Sequence, residues 1–313
     1  MLNLVIGAAA SGKSEYAEDI VMSLPGEKIY IATMEPFGAE AEERIARHRA
    51  LRAGKGFSTV ERSRDLTGLT PEADWNVLIE DLPNLAANEL FSPEGGGAAA
   101  VLSGVDRICK TASSVTIVTG DLFSDGGTYD VGTRESMEML ADLHMKIAEK
   151  ADNVVEVVCG IPCAVKGELP VNTVRYETAE HEALKCAEVN VKEMIAQDRL
   201  HVYVTGPMAS GKRDYVLNTL EMPEAEAAFE VQELLRERPD LDVAELVEKL
   251  SGCHAITQTE VGAGVIPLSA AEREWREKAG RLACLLASRA DIVVRMVCGV
   301  PIRIKKPAVD FVK

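Results

Sequence analysis

The chain has 313 residues, long enough for two domains with separate cores. Hydrophobic residues make up 47% and charged residues 27%, a soluble globular balance, and a formal net charge of −16 excludes a broad surface for nucleic acid or anionic membrane. No apolar run is long enough for a membrane span, and seven cysteines without a C-x-x-C pair suit a reducing compartment and suggest no zinc site, so a cytoplasmic protein is expected.

The first element carries the strongest signal. Residues 2–6 form a predicted strand running into Gly7, Ala8, Ala9, Ala10, Ser11, Gly12, Lys13 and Ser14, the pattern G-x-x-x-x-G-K-S. A helical pattern through Tyr16, Ala17, Ile20 and Val21 follows. Strand, glycine loop and helix in this order are what a P-loop requires. Gly7 and Gly12 let backbone N–H groups converge on phosphate oxygens, and the helix N-terminus adds its field. Lys13 can reach the β- and γ-phosphates, and Ser14 can offer its hydroxyl to Mg²⁺. The bland alternative is a glycine turn between a strand and a helix.

Further predicted strands cover residues 28–33, 75–79, 115–119 and 153–159, with helices over 40–52, 85–91 and about 134–150 and a glycine-rich loop over 93–97. Strands alternating with helices predict an α/β fold, a P-loop NTPase-like, mainly parallel sheet flanked by helices. Glu80 and Asp81 close an apolar strand where a P-loop enzyme keeps its Mg²⁺-organising acid. Glu80 is the first choice for a water-mediated metal role and Asp81 the second, against an acid that caps the next helix. On the helix over 40–52, Arg44, His48 and Arg52 lie one turn apart and share a face. Flanking cations would hold an imidazole neutral and offset phosphate charge. The alternative is a solvated face with an ordinary Glu40–Arg44 pair.

The chain then repeats itself. The run 152–162, D-N-V-V-E-V-V-C-G-I-P, returns over 291–301 as D-I-V-V-R-M-V-C-G-V-P. A second glycine loop runs from Gly206 to Lys212, with Arg213 where a P-loop has Ser or Thr. This predicts a duplicated fold: a P-loop domain over 1–168, a helical connector over 169–198, and a shortened, partly degenerate second copy over 199–313. The second copy has no evident equivalent of the strand holding Tyr30, of the helix 40–52, or of the strand ending at Glu80. With a cation in place of the hydroxyl ligand, the second glycine loop reads as a structural relic, with a site for a phosphate or carboxylate as the alternative.

The first half resembles the adenosylcobinamide kinase/adenosylcobinamide-phosphate guanylyltransferase family. The resemblance rests on residues 7–14, on Tyr30 and Thr33 in the second strand, on R-I-A-R-H-R-A-L-R over 44–52, on Thr59 and Glu61, and on Glu80 followed by Asn88. The family's glutamate-valine-glycine-x-glycine-x-x-proline loop is missing from the first half, where 121–128 stands in its place. It survives in the second half as Glu260, Gly262, Gly264 and Pro267, followed by Arg273, Arg276 and Gly280. The resemblance implies phosphorylation of adenosylcobinamide by ATP or GTP, then GMP transfer from GTP through a guanylyl-His48, with Lys13, Arg44 and Arg52 assisting. Residues 7–14, Tyr30, Thr33, Glu61 and Glu80 would bind nucleotide, and Ser14 and Glu80 would hold Mg²⁺. Its partners would be a nucleoside triphosphate and a corrinoid, with no nucleic acid. A homo-oligomer is open, with loop 260–267 packing near a first-domain nucleotide pocket of the same or a neighbouring chain. An enzyme keeping only one of the two steps, or a non-catalytic nucleotide-binding scaffold, are the alternatives.

Overall fold

The computed structural model describes residues 1–35, 54–124, 129–171 and 200–305. The expected helix over 40–52, with Arg44, His48 and Arg52, and most of the expected connector lie outside the described residues. The chain divides into two compact units. The first comprises Met1–Gly7, Lys13–Glu156 and Ala164–Val171, and the second Ala8–Gly12, Val157–Cys163 and Asn172–Lys313. The tip of the first glycine loop and the turn at 157–163 therefore belong with the second unit.

A seven-stranded sheet runs β3-β2-β4-β5-β1-β6-β7. Its strands are β1 (Leu2–Gly7), β2 (Glu27–Ala32), β3 (Ser58–Glu61), β4 (Trp75–Glu80), β5 (Ser114–Gly120), β6 (Asn153–Val158) and β7 (Ile161–Lys166). β1 pairs in parallel with β5 and β6, and β2–β3, β2–β4 and β4–β5 are parallel as well. Leu4, Val5, Val77, Leu78, Ile79 and Ile117 have no exposed surface, and the central strands are mostly apolar and buried on both faces, as a sheet covered on both sides demands. Leu82, Leu85, Ile108, Leu143 and Ile147 from three helices complete this core.

The helix Gly97–Thr111 was not anticipated by the sequence reading, which stopped at a glycine loop over 93–97. Its buried face is Val101, Gly104, Val105 and Ile108, a helical spacing diluted by alanine, serine and glycine. β3 and β7 were also missed, each being short or at a sheet edge.

The second unit carries a five-stranded sheet ordered β12-β11-β8-β10-β9. It contains β8 (Val202–Gly206), β9 (Ala227–Ala228), β10 (Ala255–Thr259), β11 (Ile292–Val297) and β12 (Val300–Lys305). β8 pairs in parallel with β10 and β11, β9 is parallel to β10, and β12 returns antiparallel to β11. The expectation that nothing remains of the Glu80 strand is corrected here. β9 lies beside β10 as β4 lies beside β5, cut to two residues.

The two repeats share backbone devices residue for residue. Asp152 Oδ2 accepts from the Leu2 amide at 2.7 Å, and Asp291 Oδ2 from the His201 amide at 2.8 Å. Cys159 and Gly160 turn through φ 50° and 83°, and Cys298 and Gly299 through 50° and 81°. Gly160 N donates to Ser11 O at 2.7 Å, and Gly299 N to Ser210 O at 3.1 Å. Lys166 and Lys305 each reach back to the last carbonyls of the preceding long helix, where an ammonium suits the negative end of the dipole.

Candidate active site

The first glycine loop leaves the sheet at Gly7 and turns through left-handed conformations at Ala10 (φ 53°) and Gly12 (φ 88°). A Cβ on Gly12 would also lie 3.2 Å from the Gly160 Cα, so both φ and space call for glycine. The helix Lys13–Met22 follows, burying Tyr16, Ala17, Ile20 and Val21.

In the first unit Ser14 Oγ donates to Glu80 Oε1 at 2.5 Å, and the buried Tyr30 donates its hydroxyl to Glu80 Oε2 at 3.2 Å. Burial pushes the Glu80 carboxyl above its ordinary pKa, against the opposing pull of the Ser14 and Tyr30 hydrogen bonds and of Lys13. Burial likewise pushes the Lys13 ammonium down, while Asp81 and Glu80 draw it back up. A cation, a hydroxyl and a carboxylate thus meet at the end of β4 and the start of the helix. Hydroxyl and carboxylate oxygens are hard donors of the kind Mg²⁺ takes together with phosphate oxygens and water. Among the described residues no cluster of three or more His, Cys, Asp or Glu could hold a metal.

Asp81 and Thr33 have structural partners. Asp81 Oδ1 accepts from the Asn84 amide at 2.9 Å and caps the helix Leu82–Phe91, the role weighed against metal binding from sequence. Thr33, fully buried, donates to Asp81 O at 2.9 Å and accepts from Asp81 N at 2.7 Å. Asn88 donates to Thr33 O and Ser63 O at 2.9 and 3.0 Å. Thr33 and Asn88 therefore fix the backbone that presents Glu80. Glu61 is exposed at the end of β3, in register with Ala32.

Within the second unit, loop 260–267 reaches the tip of the first glycine loop. Ala9 N donates to Gly262 O at 2.9 Å, and Cys284 Sγ lies 3.4 Å from Ala10 O. A Cβ on Gly262 would come within 2.7 Å of Ala9 O, and one on Gly280 within 2.7 Å of both Ala10 Cβ and Ala9 O. Gly264 turns through φ 89°. Arg276 donates to Ala263 O and Val265 O, and Arg273 to Pro267 O and Leu268 O, so both arginines expected at the site brace the loop's own backbone. Glu260 is held by Arg295, which the sequence reading did not single out. Its signal was an arginine inside an apolar strand, at the place where the first repeat has Glu156.

The second glycine loop repeats the turns, with Ala209 at φ 55° and Gly211 at 92°, but its chemistry differs. Lys212 is buried and donates to Pro207 O at 2.9 Å and Gly206 O at 3.4 Å, with Glu230 Oε1 at 3.5 Å. Gly7 pairs with Gly120 as Gly206 pairs with Thr259, and Leu78 pairs with Thr116 as Ala227 pairs with Ala255. By that register Phe229 stands where the first repeat has Glu80, and Glu230 where it has Asp81. The Arg213 guanidinium stacks 4.2 Å over the Phe229 ring and pairs with Glu224. The hydroxyl–carboxylate pair of the first repeat has become a cation–π pair.

A family model described as cobinamide kinase / cobinamide phosphate guanyltransferase matches residues 3–165 and 227–304. The bifunctional adenosylcobalamin biosynthesis protein CobP of Pseudomonas aeruginosa is 30% identical over 177 residues, covering 54% of this chain and 99% of that protein. The bifunctional adenosylcobalamin biosynthesis protein CobU of Salmonella typhimurium is 28% identical over 183 residues, 53% of this chain and 100% of that one. Matched over well more than half its length, the chain belongs to the cobinamide kinase / cobinamide phosphate guanyltransferase family, which acts in the assembly of the cobalamin nucleotide loop.

Proposed function

We propose that this chain phosphorylates adenosylcobinamide from ATP or GTP and then transfers GMP from GTP to the product. In this reading residues 7–14 cradle the triphosphate, and Lys13 places a positive charge against the β- and γ-phosphates. Mg²⁺, held by Ser14 with Glu80 behind it, would neutralise charge on the transferring group. Tyr30 fixes the carboxylate by its second oxygen, and Thr33 and Asn88 hold the strand end. His48, placed by resemblance, attacks the α-phosphate of GTP, releasing pyrophosphate, and passes the guanylyl group to the corrinoid phosphate. A neutral imidazole suits both halves, as nucleophile and as leaving group.

The observation that carries the reading is the Ser14–Glu80–Tyr30 chain beside Lys13. The second glycine loop is read as closed. Its lysine is spent on its own carbonyls and Glu230, and Arg213 with Phe229 leaves no oxygen pair for a metal. One nucleotide per chain is expected. Incubation with α-labelled GTP tests the reading. An acid-labile, base-stable label on the peptide containing His48 supports it. Reversible GTP binding with no label during turnover would instead mean that only the kinase step survives.

A further inference from the structure

Glu260 begins loop 260–267, and its side chain is clamped at two points: Arg295 Nε lies 3.1 Å from Oε1 and Nη2 3.0 Å from Oε2. Thr205 adds a longer hydrogen bond to Oε1 at 3.4 Å, and the Glu260 amide donates to Gly206 O at 3.0 Å. Arg295 sits on β11 directly beside Thr205 of β8, so the guanidinium projects from the sheet at the root of the loop. Both side chains are about four-fifths shielded, at 22% and 19% exposure, so the pair is screened less than a surface pair.

Two residues further on, Gly262 O holds the Ala9 amide. Two residues of chain span about 7 Å at most, so the Gly262 carbonyl stays close to the clamped Glu260. The glycines at 262 and 280 leave no slack around Ala9 and Ala10. The first repeat supplies an internal contrast. Asp121 N donates to Gly7 O as Glu260 N donates to Gly206 O, and Glu156 pairs with Ile6 as Arg295 pairs with Thr205. Two acids occupy the two places there, and such a clamp cannot form.

We propose that Arg295 is a positioning residue for the nucleotide site, acting through Glu260 and the Gly262 carbonyl on the conformation of the first glycine loop. The proposal rests on the reading of residues 7–14 as the triphosphate cradle. It assigns Glu260 the role of an anchor rather than an acid or base, since both carboxylate oxygens are committed.

Wild type, Arg295→Gln, Arg295→Lys and the exchanged pair Arg295→Glu/Glu260→Arg are titrated calorimetrically with GTP and Mg²⁺, with Lys13→Ala as the control for the cradle. Melting temperature and hydrogen exchange at the Ala9 amide are measured for each. Arg295→Gln is expected to weaken GTP by about tenfold, the scale of an outer-shell loss, and to speed exchange at Ala9. The exchanged pair should recover part of both. GTP affinity and Ala9 exchange unchanged in Arg295→Gln would overturn the proposal. So would a loss that only follows melting temperature and is not recovered by the exchange. If Arg295→Gln does not fold, Arg295→Lys decides by the same two readouts, because it keeps the charge and removes the fork. If wild type does not bind GTP, or Lys13→Ala binds it equally, the cradle reading itself fails. That result is distinct from Arg295 variants that bind like wild type.

Discussion

Replacing Gly280 by alanine sets two known effects against each other. Gly280 lies inside the helix Ala270–Arg289, where alanine is favoured over glycine by about 1 kcal/mol from backbone entropy alone. An added Cβ, however, would stand 2.7 Å from Ala10 Cβ, 2.7 Å from Ala9 O and 3.1 Å from Ala10 O. Carbon atoms in contact prefer about 3.5–4.0 Å, so either the helix or the glycine loop must move by nearly an ångström. Two of the three neighbours are backbone atoms, which cannot be relieved by a rotamer change. Overpacking of this kind costs about 1–3 kcal/mol, so the clash outweighs the propensity gain and the net loss is about 1 kcal/mol. Urea unfolding measures it, and GTP titration measures the shift of the loop, expected as weaker binding. Gly132→Ala is the matched control. It lies in the first turn of the helix Val131–Lys150, and among the described residues its Cβ would meet Asp130 Oδ1 alone, at 3.5 Å, so it should be neutral or stabilising. A Gly280→Ala protein as stable as the Gly132→Ala control, with unchanged GTP affinity, would refute the packing argument.

Lys13→Ala should abolish GTP-dependent activity with the fold retained, whereas Lys212→Ala should leave GTP binding intact and lower stability by removing the donor to the Pro207 and Gly206 carbonyls; activity assays beside thermal melts separate the two. His48→Asn should eliminate the guanylyl adduct and GMP transfer while sparing phosphorylation of the corrinoid, followed by intact-protein mass spectrometry and product chromatography. His144 is half-buried beside Thr119, with Nε2 2.6 Å from the hydroxyl, and desolvation lowers its pKa from 6.5 to about 4, against a smaller opposing effect of Asp121. The unfolded chain then takes up the proton first, so stability falls as pH drops from 6.5 through 4, by about 3 kcal/mol in the limit. His144→Gln should flatten that part of the pH profile of urea unfolding, and an unchanged slope would remove His144 as its source.

The parallel sheet was legible in the sequence because β1, β4 and β5 are buried on both faces and are therefore mostly apolar, with only Asn3, Asn76, Ser114, Thr116 and Thr119 as buried polar residues among them. The P-loop was legible because its backbone demands glycine at fixed spacing, as the φ of 88° at Gly12 shows. What escaped was written in weaker signals. The helix Gly97–Thr111 buries a glycine against Leu66, so its apolar stripe is interrupted where packing is tightest. β9 is too short to alternate. Arg295 and Glu260 lie 35 residues apart, and only strand order brings them together. Arg273 and Arg276 are placed at the site by the family resemblance, and a motif does not specify the contacts they make here, with backbone carbonyls of residues 263–268.

The two repeats differ most where a triphosphate would touch them and least where the backbone needs support. The aspartate that receives the first amide of the leading strand, the left-handed Cys–Gly turn and the lysine over the helix end are kept in both. Each satisfies backbone groups that burial would otherwise leave unpaired, a cost that does not depend on any ligand. The pair Ser14 and Glu80 has no such duty, and its counterpart became Arg213 and Phe229, which satisfy each other by stacking. A carboxylate buried without metal, nucleotide or hydroxyl is expensive, and beside Arg213 the second repeat has the Phe229 ring at that place instead. In the opposite direction, the second repeat has the glycine loop 260–267 and the Arg295 clamp, while the first has two acids at the corresponding places. Glycine at 262 is required by the close approach of Ala9 and Ala8, whose atoms would lie 2.7–3.1 Å from an added Cβ. That glycine, like Gly280, is explained by what it touches, and what it touches is the tip of the first glycine loop.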